Sequence, residues 1–276
     1  MKLKDLKEKY LLYVQANFAD GTFRCYKNHL DYTINYFKEI GIEDSKDLDS
    51  VDITKFIIYQ RNKGISNSTI NKRIGPLKRM LVYCHEELEG LEEIKKLKEK
   101  KVTFKYLSDD QLDKIIKYVD SGALSIQSEL IIRLLLDTGM RPSELLRLKK
   151  RDINFDNNTI LLAETKTDVE RYVRFTNTTY ALLKVFTKDM KNNEVIIKLT
   201  YDGLKSIFAR IKDKLDLAKF YPYMLRHTHA TILVKNKAPI FYIQNDMGHT
   251  NVKTTERYCH LSFEDHQKIY SECFNY

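Results

Sequence analysis

Apolar residues recur at intervals of three and four along almost the whole chain, and one stretch, Asp152–Phe175, reads as β instead, with alternation at Arg171–Phe175. A period near 3.6 residues lines one side of a helix, and a period of two lines one face of a strand. The spacing predicts a mainly α protein with a single small antiparallel three-stranded sheet.

Taken in order, Leu3, Leu6, Tyr10, Leu11 and Val14 set a first helix over residues 1–17. Gly21-Thr22 opens a second, which carries Tyr26, Leu30, Ile34 and Phe37 on one face and stops at Gly41. Asp52 is expected to cap a third, Ile53–Lys63, closed by Gly64. Ser66 or Asn67 caps a fourth, running to about Glu89. Gly75-Pro76 should kink or break it, because proline removes a helical hydrogen bond. Residues 1–100 therefore read as a small all-α domain. Gly90–Thr103 is charged and nearly free of large apolar residues after Leu97, which places the boundary there and gives a second domain over residues 104–276.

That second domain opens at Leu107, where Ser108 and Gln111 form a capping-box pattern. Leu112, Ile115, Ile116 and Val119 follow at helical spacing. Ser125–Asp137 is a strongly apolar helix expected to be buried, and Gly139 ends it. Arg141 stands just before Pro142, which suits a first helical position, and Ser143–Leu148 continues the helix. Asp152–Phe155 and Thr159–Ala163 form a hairpin around Asn157-Asn158, and Arg171–Phe175 is the third strand. Helices then return over about Thr178–Lys188, Tyr201–Leu215, Pro222–Asn236, Pro239–Met247, Asn251–Tyr258 and Phe263–Phe274.

The chain carries 47 Lys+Arg against 38 Asp+Glu, a formal charge of +9, which favours a polyanionic partner. The distribution is more telling. Ile53–His85 contains no acidic residue but holds Lys72, Arg73, Lys78 and Arg79 on one helix, a candidate phosphate-contacting face. The competing assignment is a solvated basic helix. Four scattered cysteines form no CxxC, and no secretory signal or long apolar run is present, so a soluble, reduced, cytoplasmic protein with no membrane span is expected. No metal site is expected either. His227 and His229 are two apart, so on a helix they point in different directions.

Three segments carry the candidate chemistry: Thr138–Leu148 (TGMRPSELLRL), Tyr221–Thr231 (YPYMLRHTHAT) and Met247–Tyr258 (MGHTNVKTTERY). Breaking a phosphodiester requires a nucleophile, positive donors for the non-bridging oxygens and an acid for the leaving oxygen. Arginine suits the second task, since its planar fork reaches two oxygens and keeps its proton. Arg141 and Arg226 are the natural pair, and a helix start at Arg141 adds backbone N–H groups that favour an anion.

In order and separation these segments resemble the three boxes of the tyrosine recombinase (phage integrase) family, over about Tyr106–Leu261. The N-terminal helices are similar to that family's SAM-like core-binding domain, with SNSTINKRIGPLKRML resembling its last major helix. The resemblance implies a two-domain, Xer-like site-specific recombinase acting on duplex DNA at specific core sites. Tyr258 would be the nucleophile, forming a 3′-phosphotyrosyl bond. Arg141 and Arg226 would stabilise the transition state, His249 would hydrogen-bond the phosphate, and Lys166 would be the general acid. The resemblance implies no cofactor and neither metal nor ATP, because the cleavage energy is kept in the phosphotyrosine. It also implies a homotetramer on DNA, a Holliday junction intermediate in integration or excision, and room for accessory proteins. Ser262–Tyr276 would then pack on a neighbouring subunit.

One position departs from the family pattern. Tyr223 stands where the second box has a histidine, three before Arg226. A phenol with an ordinary pKa of about 10 is a poor base, so Tyr223 is expected to position the phosphate. His227, adjacent to Arg226, is not expected to stand in for that histidine. Two alternatives share much of the resemblance: a type IB topoisomerase, and a DNA-binding protein on the same fold that has lost catalysis.

Overall fold

The computed structural model describes residues 1–99, 105–163, 170–256, 258 and 271. Lys166 and the expected terminal helix Phe263–Phe274, apart from the single residue Ser271, lie outside the described residues. The chain divides into two compact units, Met1–Val102 and Thr103–Tyr276.

Among the described residues, the first unit holds four α-helices: α1 (Leu3–Asn17), α2 (Asp20–Glu39), α3 (Ser50–Asn62) and α4 (Asn67–Tyr83). Leu3, Leu6, Tyr10, Leu11 and Val14 of α1 are all buried, and they share a core with Leu30, Ile34 and Phe37 of α2 and Phe56 of α3. Three local expectations are corrected. Asp49, not Asp52, caps α3; its side chain accepts from the Asp52 N–H, and Asp52 reaches back to close the capping box. Helix α4 runs unbroken through Pro76. A proline clashes with the Cβ of the residue before it, and Gly75 has none, so the helical backbone is tolerated there. Finally α4 ends at Tyr83 rather than near Glu89. His85 takes a left-handed φ of +57°, and the Glu86 N–H closes back on Leu81 O at 3.0 Å, which stops the helix.

The second unit begins with α5 (Asp109–Asp120), α6 (Ile126–Thr138) and the single turn α7 (Pro142–Leu145). Ser108 and Gln111 form the capping box on α5. Leu130, Ile131, Ile132, Leu134 and Leu135 of α6 are fully buried, consistent with a helix that is apolar on most sides. Ile126, in its first turn, is exposed.

A three-stranded antiparallel sheet follows, β1 (Ile153–Asn154), β2 (Thr159–Leu162) and β3 (Arg171–Arg174), in the order β1-β2-β3. The register pairs Ile153 with Ile160 and Ile160 with Val173, which sends these three side chains into the core. Asn158 takes the left-handed turn position, with φ of +54°. The remaining helices are α8 (Asn177–Phe186), α9 (Tyr201–Lys214), α10 (Pro222–Lys235), α11 (Ile240–Met247) and α12 (Val252–Glu256). No described helix is long and apolar enough to cross a membrane.

Candidate active site

Two glycine-ended helices frame the site. Helix α6 closes on Gly139 and α11 closes on Gly248, with left-handed φ values of +58° and +59°. The last carbonyls of a helix lack intrahelical donors and carry the negative end of its dipole. Guanidinium groups meet them here. Arg226 Nη1 donates to Gly139 O and its Nη2 donates to Met247 O. Arg141 Nη2 donates to Gly248 O at 3.0 Å. Arg141 is placed by the turn ahead of Pro142, and Arg226 by the buried side of α10, where it is only 3% exposed.

The cap at Gly248 is also tight. A β-carbon there would come within 2.9 Å of Arg171 Nη1. Gly248→Ala adds that contact to a left-handed backbone worth about 1–2 kcal/mol against an L residue. The thermal midpoint is expected to fall by several degrees. A melt unchanged from the parent would show that neither the contact nor the turn is strained.

Glu144 of α7 ties the arginines together. Its Oε1 accepts from Arg141 Nη1 at 2.8 Å and Arg171 Nη1 at 3.0 Å; its Oε2 accepts from Arg171 Nη2 at 2.7 Å and the Arg141 N–H at 2.6 Å. Arg171 is itself buried and donates from Nε to Asp246 O at 2.9 Å. Burial pushes the Glu144 carboxyl up, but Arg171 and then Arg141 overcome it and hold the group at about 2, below its ordinary 4.5. A carboxyl depressed by folding contributes stability above its unfolded value and loses it as pH falls towards the folded one. Stability is therefore expected to drop between pH about 4.5 and about 2, and Glu144→Gln should flatten that drop. Denaturant melts at several pH values across this window check it.

Arg226 has no such acidic partner among the described residues. Its hydrogen-bond partners are two carbonyls and a histidine nitrogen. Burial, then the charges of Arg141 and Arg171, lower it to about 10, so it stays charged at neutral pH. Three guanidinium groups thus gather around one carboxylate, which leaves the cluster positive and suited to an anion.

His249 Nε2 lies 3.2 Å from Arg226 Nη2, and its Nδ1 lies 2.9 Å from Oγ1 of the fully buried Thr255. A guanidinium only donates, so Nε2 accepts and Nδ1 carries the proton towards the threonine. Burial, followed by the arginine charges, pulls His249 down to about 3. The Tyr258 ring lies parallel to it, 3° between planes and 6.4 Å between centroids. The structure thus brings Arg141, Arg226, His249 and Tyr258 to one place.

It also brings in a residue that the sequence argued against. His227 Nδ1 is 2.6 Å from the Tyr258 hydroxyl. Adjacency to Arg226 argued against it, since neighbours on a helix point in different directions. The two do diverge: Arg226 reaches the Gly139 and Met247 carbonyls, while His227 reaches Tyr258. The available signal was spacing. His227 follows Tyr223 by four, one helical turn on the same face, and their rings are 6.4 Å apart. Tyr223 is 38% exposed, and burial of the rest raises its phenol above the usual value. His229 does different work: Nδ1 faces Leu136 O at 2.8 Å and Nε2 faces Asp246 Oδ2 at 2.9 Å, bracing α10 against α6 and α11. No group of three or more metal-ligating side chains occurs among the described residues.

The basic residues of α4 are differently disposed. Lys72 and Arg79 are exposed and, seven apart, share a face. Arg79 also donates to the Tyr26 hydroxyl. Arg73 donates to Gln60 Oε1 and stacks on Tyr32, its guanidinium carbon 3.8 Å from the ring centroid. Lys78 Nζ donates to Ile94 O at 2.9 Å.

Comparison with known proteins places the chain in a family. The model of the phage integrase family matches residues 105–265, and that of the phage integrase N-terminal SAM-like domain matches residues 8–88. The chain is 30% identical to tyrosine recombinase XerA of Saccharolobus solfataricus, over 92% of this chain and 87% of that one. It is 27% identical to tyrosine recombinase XerC of Pediococcus pentosaceus, over 99% and 98%. Among solved structures, the Tn1549 transposon integrase in complex with transposon right-end DNA shares the fold at a TM-score of 0.79 and 19% identity, covering 99% of both chains. The XerH site-specific recombinase bound to its difH substrate does so at 0.72 and 24%, covering 96% of this chain and 82% of that one. With the family model spanning most of the second unit and a relative at this identity along nearly the whole length, the chain belongs to the phage integrase family of tyrosine recombinases.

Proposed function

We propose that this protein is a site-specific DNA recombinase that cuts and rejoins duplex DNA at core sites through Tyr258. The observation that carries it is the seating of the Tyr258 phenol beside His249 and Arg226, within a cluster whose positive charge exceeds its one carboxylate. A scissile phosphate placed there would find Arg141 and Arg226 as donors for its non-bridging oxygens. His249 would exchange its contact with Arg226 for one with the phosphate. Tyr258 would attack in line, leaving a 3′-phosphotyrosyl bond and a 5′-hydroxyl, with Lys166 as the acid for the leaving oxygen. Preserving the bond energy in that ester makes metal and ATP unnecessary for rejoining. Strand exchange between two sites then runs through a Holliday junction in a homotetramer, for DNA integration or excision. Residues 1–100 would act as the core-binding domain and 104–276 as the catalytic domain. Lys72 and Arg79 would meet backbone phosphates, with Arg73 and Lys78 beside them on the same helix.

The test is a nicked duplex carrying candidate core sites from the flanking DNA, scored for a protein–DNA band that survives denaturant. A band with the parent protein supports the reading. Occupancy of the site without any band moves the assignment to a catalytically silent DNA-binding protein, for which Tyr223 in place of histidine is the favouring observation.

A further inference from the structure

Resting on that recombinase reading, we propose that His227, and not Tyr223, accepts the proton of the Tyr258 hydroxyl during cleavage. The contact is direct: His227 Nδ1 stands 2.6 Å from Tyr258 Oη, within the range for a general base and the proton it removes. Tyr223 cannot do this work. Burial moves its phenol further above neutrality, and a neutral phenol offers only a weak acceptor. The helix supplies the substitution by itself, because residues four apart lie one turn along the same face.

The protonation state is suitable. Burial and then the Arg226 charge lower His227 to about 4, so the ring is a neutral imidazole near pH 7 and can accept. Such a group is a weak base in the DNA-free protein. A bound phosphodiester brings a negative charge beside Arg226 and offsets that part of the depression, so basicity rises when substrate arrives. The Tyr258 O–H bond breaks and its proton passes to the Nδ1 lone pair. The phenolate oxygen forms the new bond to phosphorus. The P–O5′ bond breaks, and the 5′ oxygen leaves with the electron pair and takes a proton from the acid assigned to Lys166. In rejoining, the 5′ oxygen attacks phosphorus as its proton passes back to the group assigned to Lys166, the bond from phosphorus to the Tyr258 oxygen breaks, and the His227 imidazolium returns its proton to that oxygen.

His227→Asn tests this, because the amide oxygen can occupy the Nδ1 position and keep the hydrogen bond without the basicity. Site occupancy, measured by gel shift, establishes that the variant is folded; His227→Gln is read the same way where the asparagine variant fails to bind. Two substrates are used, one ordinary and one with sulfur in place of the bridging 5′ oxygen. A thiolate leaves without a proton, so that substrate bypasses the general acid but not the base. Adduct formation is expected to slow by about 100-fold or more on both substrates at full occupancy. Cleavage within about threefold of the parent overturns the proposal and leaves the recombinase reading intact. A defect present with oxygen and erased with sulfur also overturns it, since His227 would then serve the leaving group. An absence of adduct with the parent on an occupied site removes the recombinase reading and this inference together.

Discussion

Tyr258→Phe is expected to abolish the denaturant-resistant protein–DNA band while leaving binding to the same site within about twofold of the parent. The substitution deletes one oxygen. That oxygen is the atom 2.6 Å from His227 Nδ1, and a hydrogen bond of this kind contributes about 1 kcal/mol net. The phenyl ring retains the parallel arrangement with His249, so the packing at the end of α12 survives. Loss of the nucleophile has no such graded effect. Among the described residues no other hydroxyl occupies that place, and the covalent route closes altogether. The measurement is denaturing electrophoresis of end-labelled nicked duplex, with gel shift on the same samples. A band that persists in the phenylalanine variant removes Tyr258 as the nucleophile. Loss of both band and binding would mean that the hydroxyl holds the site together, and a structural role would replace the catalytic one.

Much of this architecture was legible because the signals were local. The Ser108–Gln111 capping box, the proline after Arg141 and the glycines that end α6 and α11 each specify a backbone conformation from a few adjacent residues. The errors arose where the deciding partner was not the expected residue type. The end of α4 is a left-handed turn at His85, and histidine carries no strong signal for that conformation, whereas glycine would have. Pro76 looked like a break because its missing N–H was weighed without the glycine in front of it. The cap of α3 was expected at Asp52, but the two aspartates accept each other's N–H, and the helix begins at Ser50, which makes Asp49 the cap and Asp52 its reciprocal partner.

The site shows the same division. Arg141, Arg226, His249 and Tyr258 could be picked out because each lies in a distinctive short segment. What the sequence did not expose was the wiring between segments. Glu144 reads as an ordinary helix residue, yet it holds Arg141 in place and balances the buried Arg171 of β3, twenty-seven positions later. Arg171 reads only as the start of the third strand, yet its side chain is almost entirely enclosed. These roles depend on β3 passing beside α11, a long-range contact that no local pattern encodes. His227 was set aside for a related reason: the role proposed for it depends on Tyr258, which lies thirty-one residues away in the chain.

Arg226→Lys is expected to slow adduct formation by about 10²–10³-fold and to lower the thermal midpoint as well. The charge is formally conserved, so the prediction rests on shape and on proton affinity. In the parent one planar fork serves Gly139 O, Met247 O and His249 Nε2 from two separate nitrogens. A lysine presents a single nitrogen and cannot stand in both places. At least one carbonyl at a glycine-ended helix terminus is left buried and unpaired, at about 1–3 kcal/mol. The second effect is larger for catalysis. Burial and the neighbouring arginines already bring the guanidinium down to about 10. The same surroundings acting on an amine of ordinary pKa about 10.4 would carry it towards neutrality, so part of the population loses the charge that the phosphate needs. Removing one preorganised donor from a transition state typically costs about 10²–10³ in rate, and the cleavage loss follows. Single-turnover adduct formation at saturating protein separates this from weaker binding, and a melt reads the stability loss. A lysine variant that cleaves within tenfold of the parent would show that point charge, and not the arginine fork joining the two helix ends, is what the reaction uses.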